Sequence, residues 1–178
     1  TAPSFEFTKV PYHLRESGER VAVIGNFNSE SLFTPVKGIE EQNVALSEKQ
    51  SLLRACGRGY FVVGILASGQ EPTNHALRDI SALKTDLEKW GRKMVLLFPD
   101  EAQCRKFLPS EFPELPSTVT YGIDTEGIYE QIAENMKLKH KNNLPVFIIA
   151  DTFNRVVFVS QGYTIGLGEQ LMKNIRGL

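Results

Sequence analysis

A proline at the entry of a long apolar run is the feature that most constrains this chain. Leu144-Pro145-Val146-Phe147-Ile148-Ile149-Ala150-Asp151 begins through Pro145 and closes at Asp151. A turn at Thr152-Phe153-Asn154 leads into Val156-Val157-Phe158-Val159, which ends at Ser160-Gln161-Gly162-Tyr163. Two β-branched, aromatic-rich runs of strand length about a turn predict a hairpin. Beyond Gly168, Leu171, Met172 and Ile175 recur at helical spacing, so a closing helix is expected.

Upstream, the same alternation of buried strand and amphipathic helix extends back to Tyr60. Tyr60-Phe61-Val62-Val63-Gly64-Ile65-Leu66 is continuously apolar, as in a strand covered on both faces. Pro72 then stands where a helix would start. Ala76, Leu77, Ile80, Leu83, Leu87 and Trp90 follow at three- and four-residue spacing, which predicts one long helix stopped by Gly91, with Leu87 and Trp90 in the core. Met94–Phe98 is the next buried strand. Asp100 is placed to cap a helix running to about Leu108. Three prolines make 109–117 an extended loop. Val119–Tyr121 reads as a short strand, and Ile128, Ile132 and Met136 mark a further helix. Strands separated by helices imply a mixed or parallel sheet with helices on both faces.

The first 57 residues read differently. Phe5–Pro11 alternates like an edge strand, with the proline tolerated at its end. Val21–Ile24 is a second strand, so 5–24 is expected to form a hairpin. Residues 29–47 show no period. Ser47, with Gln50 three residues on, reads as a capping box for a short helix to Cys56. The expected division is therefore a β-rich extension, or the tail of a preceding domain, over 1–57, and an α/β domain over 58–178.

Over 58–178 the order of elements, with the proline-led strand, the hairpin and the Gly162-Tyr163 turn, resembles the thioredoxin fold in its longer redoxin branch. The resemblance implies an α/β three-layer fold with a mixed central sheet, here carrying an N-terminal β-hairpin-containing extension. It also implies a cis Leu144-Pro145 bond bordering the active site. In redoxins the reactive cysteines sit after the first buried strand, where a helix N-terminus lowers a thiol pKa. Here that stretch reads Ala67-Ser68-Gly69-Gln70-Glu71-Pro72-Thr73, with Gln70 and Thr73 in the two cysteine positions. No cysteine lies between Cys56 and Cys104, so a C-x-x-C pair is absent whatever the alignment. Glu71–Ile80 and Gly162–Gly168 further resemble the C-terminal region of transglutaminase-like proteins of Bacteroidetes. That likeness implies an exported, extracytoplasmic protein whose catalytic domain lies upstream. The opening Thr1-Ala2-Pro3-Ser4, without methionine, suggests a processed product or an excised domain.

The expected function is thus a redox-inactive accessory or interaction domain, not itself an enzyme, holding a peptide or a neighbouring domain. Its groove would be formed by Gln70, Thr73, His75, Leu144 and Pro145, since ligands of open α/β sheets bind beyond the strand ends. For His75 the plain alternative is a solvent-facing first-turn residue. The competing expectations are a single-cysteine redoxin using Cys104, a hydrolase-like use of Thr73 and His75, and a small-ligand module. Other classes are poorly served. A formal net charge of -1 with no basic stripe argues against nucleic acid. The three histidines are scattered without metal spacing, so neither metal nor cofactor is expected. No apolar stretch is long enough to span a membrane.

Overall fold

Strands from both ends of the chain meet in one sheet. The computed structural model describes residues 12–14, 20–139, 143–176 and 178. Its strands are β1 (Tyr12–Leu14), β2 (Arg20–Ala22), β3 (Gly25–Asn26), β4 (Leu32–Lys37), β5 (Ala45–Leu46), β6 (Gln50–Ser51), β7 (Tyr60–Ile65), β8 (Met94–Phe98), β9 (Val119–Ile123), β10 (Val146–Asp151) and β11 (Arg155–Gln161). The helices are α1 (Leu52–Cys56), α2 (Glu71–Ala82), α3 (Lys84–Trp90), α4 (Glu101–Lys106), α5 (Ile128–Asn135) and α6 (Leu167–Ile175). The nine-stranded sheet runs β3-β11-β10-β7-β8-β9-β4-β5, with β6 also paired to β4. Pairs β7–β8 and β8–β9 are parallel. The other pairs in the sheet are antiparallel.

The continuous apolar runs occupy the centre because both faces are covered. β7, β8 and β10 are buried at every position. Alternate side chains serve opposite layers. Val62, Leu96 and Phe147 face Leu77 and Ile80 of α2 and Leu171 of α6. Phe61, Val63 and Ile148 face Leu52 of α1 and Ile128 and Ile132 of α5. This is the mixed three-layer arrangement expected from the alternation of elements.

Five expectations about local structure need correction. Residues 29–47 are not irregular. β4 crosses them with Phe33, Thr34, Pro35 and Val36 all buried. Burial on both faces erases the polar–apolar period that marks a strand in sequence. Pro35 has no N–H to give, but its carbonyl accepts from the Ser47 N–H at 2.8 Å. Pairing with β4 also takes 45–46 and 50–51 into β5 and β6. The short helix therefore starts later, capped by Ser51 rather than Ser47, with Ser51 Oγ accepting from the Arg54 N–H at 3.1 Å.

The long helix is two helices. Leu83, at φ -104° and ψ 14°, separates α2 from α3. Leu83 and Leu87 stay four residues apart across the break, with the Leu87 N–H donating to the Leu83 carbonyl. The apolar spacing hides the kink for that reason. Leu87 is in the core, 2% exposed. Trp90 is only half-buried and packs at the margin of that cluster. α4 is capped by Asp100, which accepts from the Gln103 N–H at 2.8 Å, but it ends at Lys106.

The N-terminal extension is β-rich. β1 and β2 form a separate antiparallel pair. β3 and β4 are hydrogen-bonded into the main sheet at β11 and β9, so the extension is tied to the α/β domain across residue 57. The expected strand over Phe5–Pro11 lies outside the described residues. Gly122, opposite Pro35, has no room for a side chain: a Cβ there would lie 2.5 Å from the Phe33 ring.

Candidate functional site

The C-terminal ends of the parallel strands converge on one crevice. β7, β8 and β9 end at Ile65, Phe98 and Ile123. Ile65 and the residues following the other two, Pro99 and Asp124, line a cavity of about 120 Å³ with Tyr129, Glu130 and Leu144. The Asp124 N–H is held by the Phe98 carbonyl at 2.9 Å. Its carboxylate caps α5, accepting from the Ile128 N–H at 2.7 Å and the Tyr129 N–H at 2.8 Å. Burial pushes the Asp124 carboxyl above its ordinary pKa, against the pull of those N–H groups, and the Glu130 charge adds to the rise.

The proline loop forms the other wall. The Leu144–Pro145 peptide is cis. Pro145 is buried and its carbonyl accepts from the Gly162 N–H at 2.8 Å. One residue on, Val146 pairs with Ile65. Leu144 is half-buried, and its backbone makes no hydrogen bond to another described residue.

The start of α2 is a locked turn. Thr73 is fully buried and its Oγ1 accepts from the Ala67 N–H at 2.9 Å. The Ser68 N–H donates to Gln103 Oε1 at 2.8 Å, and Ser68 Oγ donates to the Gln103 carbonyl at 2.7 Å. Gln70 is exposed at the N-cap without a side-chain capping bond. His75 stacks on Tyr163 with centroids 5.2 Å apart, and its Nε2 lies 3.3 Å from Glu71 Oε2. Tyr163 in turn donates to Asp79 Oδ2 at 3.1 Å. Thr73 thus serves the turn and His75 the surface, and no hydrogen bond joins them among the described residues. The hydrolase-like pairing has no geometry behind it. Of the five expected groove residues, Leu144 lines the cavity, while Gln70, Thr73, His75 and Pro145 do not.

The sequence reading missed Pro99, Asp124, Tyr129 and Glu130. One signal was available: an aspartate four residues before the first apolar residue of a predicted helix. A wider groove of about 420 Å³ lies along the 109–117 loop, lined by Phe112, Leu115 and Tyr121 with Lys84 and Glu40. It contains none of the C-terminal strand ends, which is why the smaller crevice is the candidate site. Among the described residues no group of three or more potential ligands is placed to hold a metal ion. Nor is any helix there long and apolar enough to cross a membrane.

Both cysteines are free thiols, Cys56 at the end of α1 and Cys104 within α4. Burial pushes Cys56 up to about 12, partly opposed by Lys93, and Cys104 up to about 11, partly opposed by Arg105. At pH 7 a thiol of pKa near 11 is ionised in roughly one molecule in ten thousand, against a few per cent for a free cysteine. Alkylation of the folded chain by iodoacetamide at pH 7 is therefore expected to run over ~100-fold slower than that of free cysteine. Mass spectrometry of the time course checks this. Labelling of either residue at the free-cysteine rate would mean its environment is not the buried one described.

No family model and no curated protein matches the chain. Solved structures do. The thiol:disulfide interchange protein DsbE from Chlorobium tepidum is 16% identical, with a TM-score of 0.52 over 84% of this chain and 94% of that one. A SCO1/SenC family lipoprotein from Bacillus anthracis str. Ames is 15% identical, with a TM-score of 0.59 over 92% and 98%. Peroxiredoxin Q from Xanthomonas campestris is 11% identical, with a TM-score of 0.57 over 83% and 91%. These matches correct the expectation that the domain is not an enzyme, since the fold it shares is that of thiol-disulfide interchange proteins and peroxiredoxins. The link to transglutaminase-like proteins finds no support. Topology, crevice and structural matches agree: this chain has the thioredoxin-like, redoxin-type fold, and carries no cysteine at the start of α2.

Proposed function

We propose that the chain is an interaction module of a larger exported protein, which holds an extended segment of a partner or of a neighbouring domain along Leu144 at the mouth of the crevice. The observation that carries this is the Leu144 backbone, without a hydrogen-bond partner among the described residues and beside a cavity at the strand ends. Free backbone groups at such an edge pair with an extended chain, while adjacent pockets sort its side chains. The extension over 1–57 would brace the 58–178 domain through β3 and β4. The extracytoplasmic setting is supported by the lipoprotein among the matched structures. A transglutaminase-like neighbour rests on the Glu71–Ile80 and Gly162–Gly168 resemblance alone.

Titrating the ¹⁵N-labelled chain with a pool of unstructured ten-residue synthetic peptides tests the reading. Amide shifts are expected at Leu144, Ile65, Asp124 and Tyr129. No shift at millimolar peptide, or shifts confined to other surfaces, would sink it.

A second reading, a single-thiol redox reaction, is favoured by the catalysts among the matched structures. It would need Cys104 or Cys56 as a thiolate, and the upward push on both thiols opposes that. The alkylation experiment separates the two readings.

A further inference from the structure

We infer that the crevice beside Leu144 selects a basic side chain, lysine or arginine, from the segment it holds. This rests on the reading of Leu144 as the docking edge and adds the chemistry of its partner.

Size is the first argument. A volume of about 120 Å³ far exceeds the roughly 15 Å³ that one water needs. It falls well short of the roughly 300–1,000 Å³ of small-molecule pockets. It is the space of one side chain.

The lining is the second argument. Ile65, Pro99, Leu144 and Tyr129 line it together with two acidic residues, Asp124 and Glu130. A cavity that combines apolar and acidic lining residues matches a side chain with a hydrocarbon stem and a cationic head. A purely aliphatic side chain would offer the two carboxylates no further donor, and an acidic one would be repelled.

Absence of an internal counterion is the third argument. Neither Asp124 nor Glu130 has an ion pair among the described residues, whereas nearby Glu126 is already bound to Lys49 at 2.9 Å. Asp124 is fixed by two backbone N–H groups, so its carboxylate is held in place before any ligand arrives. A cationic side chain of the bound segment would supply the missing counterion. Its arrival would also draw the raised Asp124 pKa back down.

The test uses capped ten-residue peptides of serine, glycine and valine that differ at one central position: lysine, arginine, norleucine or glutamate. Affinities come from the ¹⁵N titration of the 178-residue chain at low salt. Lysine and arginine peptides are expected to bind at least ten times more tightly than the norleucine peptide, and the glutamate peptide least. The gap should shrink at 0.5 M salt, where exposed charges are screened. Glu130→Gln, an exposed substitution that leaves the α5 cap intact, should reduce the lysine-over-norleucine ratio several-fold. If norleucine binds as well as lysine with the same residues shifting, the charge selection is overturned while the docking edge at Leu144 stands. If no peptide binds, both fall.

Discussion

Asp151→Ala is expected to cost about 3–5 kcal/mol of stability, the cost of breaking a buried ion pair from one side. Asp151 ends β10 and is 1% exposed. Its Oδ1 accepts from the Phe153 N–H at 2.9 Å and the Arg155 N–H at 3.0 Å, which shapes the turn into β11. Its Oδ2 receives Arg155 Nε at 2.8 Å and Nη2 at 2.7 Å. The Arg155 side chain is 27% exposed and its guanidinium lies 5.4 Å from the centre of the Phe153 ring. Alanine removes every acceptor at once, leaving two N–H groups and a mostly covered cation without their partner. Partial solvation of Arg155 moves the expected value toward the lower end of the range. Urea unfolding of the variant gives the number. Asp151→Asn, which keeps an acceptor oxygen, should lose less. A loss below about 1 kcal/mol for the alanine variant would mean that the pair behaves as a surface salt bridge and does not hold the hairpin.

Phe33→Ala should be comparably damaging, at about 3–5 kcal/mol, although its residue lies in a stretch without sequence periodicity. Phe33 is fully buried and belongs to the cluster containing Phe61, Val63, Val95 and Leu97. Its ring fills the space that Gly122 leaves open on β9. Truncation would therefore leave a cavity beneath a glycine that cannot repack to fill it. For a chain of this length the loss corresponds to a drop in Tm of roughly 10 °C. The result also decides what the first 57 residues are. If they were an appendage, truncation would shift stability by no more than about 0.5 kcal/mol. A transition that stays single and moves by several kcal/mol makes β4 an integral strand of the sheet.

The apolar runs Tyr60–Leu66, Met94–Phe98 and Leu144–Asp151 were enough, with their intervening helices, to specify the three-layer order. Continuous hydrophobicity over strand length has one comfortable place, the middle of a sheet covered on both sides. The absence of a cysteine between Cys56 and Cys104 likewise needed no coordinates. What tertiary structure decided was the edges and the site. β4 looks irregular in sequence because Phe33 and Val36 serve opposite faces while Thr34 and Pro35, normally turn or surface residues, are buried between them. The break at Leu83 is silent because the apolar spacing runs across it. The crevice draws Ile65, Pro99, Asp124, Tyr129, Glu130 and Leu144 from four separate parts of the chain. Such a constellation exists only once the parallel strands are in register and their ends lie side by side. Thr73 and His75 stand two residues apart in sequence yet face different surroundings, one sealed against Ala67 and the other stacked on Tyr163. Sequence separation says which residues are neighbours along a helix. Burial and register, which depend on the whole sheet, say what each of them can touch.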